Sequence, residues 1–207
     1  MRIDIWSDVV CPWCYIGFTR LEQVVAAAGE PVEVRHHAFQ LDPDAVGVES
    51  TVAQLGRKYG REEADVLVMM DRVTREAASV GLNYRLAETK SGNTRLAHRL
   101  LAAAADAGVG HLLLQRLFSA YFQDAQEIFS AEDLRPHGLA VGMAPELVEQ
   151  VLAGDAYEAE VAEDIAMAEQ LGITSVPFFV FEGRIGLPGA VSAEVLTAAM
   201  KQAAAGV

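Results

Sequence analysis

Cysteine is scarce in this chain: two in 207 residues, standing together as Cys11 and Cys14. That excludes the disulfide framework that staples small secreted domains. A structural disulfide between the two would also gain little, because closing so short a loop removes little unfolded-state entropy. A zinc site would need further ligands at matching spacing, and the sequence offers none. His36 and His37 are adjacent, so a strand turns them to opposite faces, and His98, His111 and His137 show no ligand spacing. No metal is therefore expected.

Basic residues are also few. Sixteen Lys and Arg stand against 29 Asp and Glu, a formal net charge of −13. Such a surface repels phosphate backbones and anionic lipid, which argues against nucleic acid and membrane as partners. Between Pro136 and Gly183 there is no Lys or Arg at all, a run read as solvated helix faces rather than a docking patch. Long apolar runs are missing as well: Leu100 to Ala105 and Val176 to Phe181 fall far short of the ~20 residues that span a bilayer. Arg2 and Asp4 interrupt the N-terminal stretch, and no apolar segment with a small-residue cleavage site follows. A cytoplasmic protein is expected.

What is present is a 52% hydrophobic composition, enough to build a packed core, in a length suited to one or two domains. Residues 2–6 alternate polar and apolar and read as a strand. Ser7 to Val10 reads as a loop, after which the cysteines open a helix with Pro12 at its first position. Ile16, Leu21, Val24 and Val25 give that helix its apolar stripe, ending at Gly29. Val32 to Phe39 reads as a second strand, so residues 2–39 form a βαβ unit with Cys11 and Cys14 at the helix N-terminus.

From Leu41 the period becomes helical. Val66, Met69, Met70, Val73, Ala77 and Val80 form one stripe, Leu96, Leu100 and Ala104 another, and Leu113, Leu114, Leu117, Phe118, Tyr121 and Phe122 a third. The Met pair and the aromatics read as helix-packing core, and Gly81, Gly92, Gly108, Pro136 and Pro145 as helix boundaries. No strand signal is visible here. A helix over 157–171 follows, then Gly172 to Phe181 as a buried strand, Glu182-Gly183 as a hairpin turn, and a last helix from Ser192 to Ala205 with Ser192 as N-cap. The order is βαβ, helical insertion, αββα: an α/β chain with residues 1–40 and 157–207 forming one discontinuous domain and residues 41–156 an all-helical insertion.

The Cys11-Pro12-Trp13-Cys14 motif after a first strand, Val176-Pro177 before a late one and the helical insertion between resemble the DsbA-like thioredoxin-fold oxidoreductases. The similarity is greatest to the FrnE-type branch, related to 2-hydroxychromene-2-carboxylate isomerases and kappa-class glutathione transferases. It is carried further by Asp8-Val9-Val10 before the motif and Tyr15-Ile16-Gly17 after it, Phe39-Gln40-Leu41-Asp42-Pro43-Asp44, Asn93-Thr94 with Ala97-His98-Arg99-Leu100, Tyr121-Phe122, Gly172-Ile173, and Phe178-Phe179 after Val176-Pro177. The chain departs from that branch at Leu187-Pro188-Gly189-Ala190-Val191, where Ser-Gly-Ala-Gln is more usual. The resemblance implies a thioredoxin-like fold, a cis Val176–Pro177 bond facing the cysteines, and disulfide exchange without a resident cofactor, glutathione being a candidate co-substrate.

At the residue level, Cys11 as N-cap would let its sulfur accept the Trp13 and Cys14 amides, as a Ser oxygen does at a cap. The helix dipole adds ~0.3–1 kcal/mol toward an anion there. Cys11 is then the attacking thiol and Cys14 the more buried resolving thiol of higher pKa. Asp8 is open to three readings: a carboxylate acting on Cys11, a base for Cys14, or a loop cap. Pro12, Trp13, Val176 and Pro177 are candidates to hold substrate, and His98 is a candidate to line a cleft between the insertion and the rest.

The leading function is thiol–disulfide oxidoreductase, acting on thiol- or disulfide-bearing proteins or small molecules. The alternative is a glutathione-dependent isomerase or transferase on small aromatics. A chaperone or binding module with an idle cysteine pair is the third reading, discriminated by whether function survives Cys11→Ser.

Overall fold

The computed structural model describes residues 1–29 and 31–206. Its elements run β1 (Arg2–Ser7), α1 (Pro12–Ala28), β2 (Glu33–Ala38), β3 (Glu49–Ser50), α2 (Thr51–Tyr59), α3 (Glu63–Ala78), a 3-10 turn at Leu86–Glu88, and β4 (Lys90–Ser91). They continue with α4 (Arg95–Asp106), α5 (Gly110–Phe122), α6 (Ala131–Ala140), α7 (Pro145–Ala153), α8 (Glu158–Gln170), β5 (Phe178–Phe181), β6 (Ile185–Pro188) and α9 (Ala193–Ala204). Two compact units divide the chain: Met1–Phe39 with Glu163–Val207, and Gln40–Ala162. The second boundary falls inside α8, a few residues beyond the expected 156/157.

The first unit is built on a sheet of order β2-β1-β5-β6. β1 runs parallel to β2, with Ile3 opposite Val34, and antiparallel to β5, with Ile5 opposite Phe179. The parallel pair needs a crossover, which α1 supplies. Strand alternation then sorts the side chains of β1. Ile3 and Ile5 pack with Leu21 and Val24 of α1, Phe179 and Phe181 of β5, and Leu196 and Met200 of α9. Asp4 and Trp6 take the opposite face. The same alternation separates the two histidines of β2: His36 lies against Phe18 at 5.7 Å, whereas His37 stacks on Trp6 at 4.5 Å.

The buried run read as one long strand is shorter: only Phe178–Phe181 is extended in the sheet. Pro177 has no N–H to offer a ladder, and β5 starts just after it. Glu182 and Gly183 both take positive φ, and the Arg184 N–H closes the turn on the Phe181 carbonyl at 3.0 Å. Ser192 stands at the N-cap of α9 but makes no side-chain cap hydrogen bond.

The second unit is helical except for a two-residue antiparallel ladder in which Glu49 pairs with Ser91 and Ser50 with Lys90. Two residues are too few to show an alternation, which is why the pattern gave no strand there. Leu100, Leu113, Leu117, Phe118, Tyr121 and Phe122 form its buried interior. Met70 is core, but Met69 is exposed, as are its neighbours Leu67 and Val68. Pro145 opens α7, whereas Pro136 lies inside α6 and not at a boundary. That helix is instead started by a capping box: the Ser130 hydroxyl accepts from the Asp133 amide, and Asp133 accepts from the Ser130 amide.

Candidate active site

Cys11 is the N-cap of α1, with extended backbone (φ −85°, ψ 113°) and Pro12 behind it at the first helical position. The cap is held from outside the helix, where the Cys11 N–H donates to the Asp8 carbonyl at 3.0 Å. The amide cap expected on the sulfur is absent. Instead the Cys14 N–H donates to the Cys11 carbonyl oxygen at 3.0 Å, and Tyr15 N–H to the same oxygen at 3.4 Å. The main chain of the first turn thus occupies one of the two donors that the sulfur was expected to use. The Cys11 sulfur turns the other way, its Sγ–H donating to the Val176 carbonyl at 3.6 Å. Residues 165 apart in sequence meet there.

Cys14, one turn in, is 1% exposed against 4% for Cys11, and both are free thiols. Burial pushes the Cys14 thiol well above its usual range. The Cys11 sulfur beside it adds to the rise, and a backbone hydrogen bond at Asp8 offsets part of it. The Asp8 carboxylate, buried itself, adds a further increment through its charge. Asp8 thus stands within electrostatic reach of Cys14.

The Val176–Pro177 peptide bond is cis. Pro177 is held from behind, its carbonyl accepting the Gly189 N–H at 2.8 Å. The segment where this chain departs from the FrnE-type branch therefore touches the proline itself. Gly17, part of the resemblance but given no role by the helix stripe, decides how close α1 comes to it. A Cβ at Gly17 would lie 2.9 Å from Pro177 Cγ and 3.1 Å from Phe179 Cζ, so only glycine admits this approach. An isolated glycine inside a helix stripe was the available signal.

Cys11, Cys14, Asp8, Val176 and Pro177 thus come together in the first unit. Pro12 is half-buried, and Trp13 is 42% exposed beside the cysteines. His98 belongs to the second unit, where it is buried on α4. Among the described residues no group of three or more His, Cys, Asp or Glu is arranged to hold a metal ion. Among the described residues, no helix is long and apolar enough to cross a membrane.

A βαβ crossover with a Cys-x-x-C at its helix N-terminus, facing a proline before an antiparallel strand, defines a thioredoxin-like redox fold. The chain belongs to the family described as the DSBA-like thioredoxin domain, whose model matches residues 2–201. It is similar to a probable DsbA oxidoreductase from Streptomyces coelicolor, at 39% identity and TM-score 0.94, covering 99% of this chain and 90% of that one. It also shares its fold with a 2-hydroxychromene-2-carboxylate isomerase (17% identity, TM-score 0.71, 98% and 95% covered). A third likeness is to the cytosolic disulfide reductase DsbM of Pseudomonas aeruginosa (19% identity, TM-score 0.70, both chains fully covered), whose structure is also known with GSH.

Proposed function

We propose that this protein is a thiol–disulfide oxidoreductase working through Cys11 and Cys14. The observation that carries the reading is the sulfur of Cys11 at the start of α1, set against the Val176 carbonyl, with the high-pKa thiol of Cys14 one turn behind. In the reducing direction the Cys11 thiolate attacks one sulfur of a substrate disulfide. A mixed disulfide forms and one substrate thiolate leaves. Cys14 gives up its proton and attacks the Cys11 sulfur, which breaks the mixed disulfide and releases the second substrate thiol. The substrate gains two electrons, and Cys11–Cys14 becomes the disulfide; the oxidising direction is the reverse. Asp8 receives the Cys14 proton, a role supported by its burial and by its charge acting on that thiol.

Pro12, the exposed ring of Trp13 and the Val176–Pro177 backbone hold the substrate next to the sulfur. For His98 the reading is contact with bound substrate, checked by a rise in KM at unchanged kcat in His98→Ala. The substrates are thiol- or disulfide-bearing proteins or small molecules in the cytoplasm, a placement supported by the likeness to a cytosolic reductase. That relative's structure with GSH supports glutathione as the co-substrate that resets the pair. Insulin reduction by wild type and Cys11→Ser tests the proposal: activity should fall to background in the variant, and retained activity would refute it.

The likeness to an isomerase supports a second reading, a glutathione-dependent isomerisation of a small aromatic at the same site. Such chemistry has no use for Cys14. A Cys14→Ser variant that keeps full turnover of the substrate would favour it over disulfide exchange.

A further inference from the structure

On the face of β1 away from the aliphatic core sits a charged cluster that the redox chemistry does not use. His37 of β2 has a carboxylate oxygen at each ring nitrogen: Asp164 Oδ1 lies 2.5 Å from Nδ1, and Asp4 Oδ1 lies 3.0 Å from Nε2. The indole of Trp6 covers one face of the ring at 4.5 Å and 16°. Asp164, in the part of α8 belonging to the first unit, makes two more bonds. Its Oδ2 accepts the Ala38 N–H at 2.8 Å, and its main-chain carbonyl accepts the Trp6 indole N–H at 3.1 Å. One residue thus fastens α8 to both β1 and β2.

A neutral imidazole has one N–H and one lone pair. With an anionic oxygen at each nitrogen, a neutral ring would aim its lone pair at a carboxylate, and only the imidazolium donates to both. The surrounding charges agree. Arg2 donates from Nε to Asp4 Oδ2 at 2.8 Å, so Arg2 and the imidazolium together balance Asp4 and Asp164. On β2 the nearest charges on the same face, Glu33 and Arg35, are paired with each other. β5, on the other side of β1, brings only Phe178, Phe179, Val180 and Phe181. From α8, the carboxylate in contact with the ring is that of Asp164.

We propose that Asp4, His37 and Asp164 form a pH-sensitive clamp that fastens the second half of α8 to the sheet while His37 is protonated and loosens when it is not. Burial, the largest single influence on the ring, pushes its pKa down. The hydrogen bonds to Asp164 and Asp4, with their charges, outweigh it and leave His37 above its ordinary value. A group raised in the closed state stabilises that state fully below its open-state value, ~6.5 for an ordinary imidazole. The stabilisation drains away as pH rises through the closed-state value and is gone above it.

The primary test needs no variant. In the wild-type protein, nitrogen-15 NMR of the histidine rings should show His37 titrating above the ordinary imidazole value. The Ala38 amide, whose bond to Asp164 closes the clamp, should lose hydrogen-exchange protection as pH rises. After correction for intrinsic exchange, the loss should approach tenfold per pH unit between ~6.5 and the His37 midpoint, then level off. Asp164→Asn keeps an acceptor for Ala38 but removes the charge, and should lower the His37 midpoint. His37→Gln should abolish the slope while leaving the rest of the sheet protected. His37 titrating at or below the ordinary value, or an Ala38 protection that ignores pH in that window, would overturn the clamp, as would a slope that persists in His37→Gln.

Discussion

At Cys14 the thiol is held in its protonated form by burial and by the sulfur and carboxylate beside it, and only the thiolate attacks or is alkylated. Iodoacetamide added to the reduced protein at rising pH should therefore modify Cys11 first and Cys14 only under clearly more alkaline conditions. Peptide mapping that found Cys14 alkylated first would contradict the assignment of attacker and resolver. Cys14→Ala removes the route by which the protein releases its partner, so non-reducing gels should show mixed disulfides that vanish in Cys11→Ser/Cys14→Ala; repeated failure to trap any adduct would count against exchange. The pair was legible because attacker and resolver are written in four consecutive residues. The acceptor of the Cys11 sulfur was not: it is a backbone carbonyl 165 residues away, and every residue has one. One of the two amides expected to cap the sulfur is taken locally, since the Cys14 N–H is already bonded to the Cys11 carbonyl. The partners of His37 were hidden differently, as Asp4 and Asp164 are two among 29 acids and nothing in their spacing joins them.

The helix α1 does two jobs, carrying the cysteines at its start and letting Pro177 approach its second turn. Gly17 makes the second possible, and the two effects of a methyl there have opposite signs. In an open helix Gly→Ala stabilises by about 0.8–1 kcal/mol. Here the added Cβ would stand 2.9 Å from a proline ring carbon and 3.1 Å from Phe179, and overpacking of that kind costs roughly 1–3 kcal/mol. The ring is stiff and tied to Gly189 through its carbonyl, so α1 and the Val176–Pro177 segment must separate. Gly17→Ala should lower the melting temperature and slow disulfide exchange while far-ultraviolet circular dichroism stays near native. A variant that melts higher and exchanges at the wild-type rate would show that the approach does not position the site. Element identity was mostly readable, since the period of each stripe and the flanking Gly and Pro marked helices and strands. Boundaries failed where tertiary context decided them: β5 is cut short after Pro177, α6 continues through Pro136, and β3 with β4 has too few residues to leave a pattern.

At the scale of the molecule, the order of the chain makes the two units unequal. Gln40–Ala162 is one continuous segment, whereas the first unit is assembled from two pieces of chain on either side of it. The sheet joins those pieces through pairs such as Ile3 with Phe181. If the inserted segment is unfolded, pairing β1 with β5 must close it as a floppy loop, which costs on the order of 4–5 kcal/mol for a loop of ~100 residues. That is comparable with the whole stability of a small domain, ~5–15 kcal/mol. The reverse dependence is weaker, because the inserted unit closes no such loop. Two spectroscopic signals separate the units: Trp6 and Trp13 are the only tryptophans and both lie in the first, while far-ultraviolet circular dichroism is weighted toward α2 to α7 in the second. Leu117 and Phe181 are both fully buried, one in each unit, and truncation to Ala costs ~2–5 kcal/mol for Leu and ~3–5 for Phe. Leu117→Ala should move the tryptophan and dichroism transitions to lower urea together, since losing the insertion takes the first unit with it. Phe181→Ala should move the tryptophan transition further than the dichroism, leaving helical signal after the tryptophans are exposed. Coincident transitions in Phe181→Ala, or a tryptophan transition unmoved in Leu117→Ala, would show that chain order does not set the hierarchy.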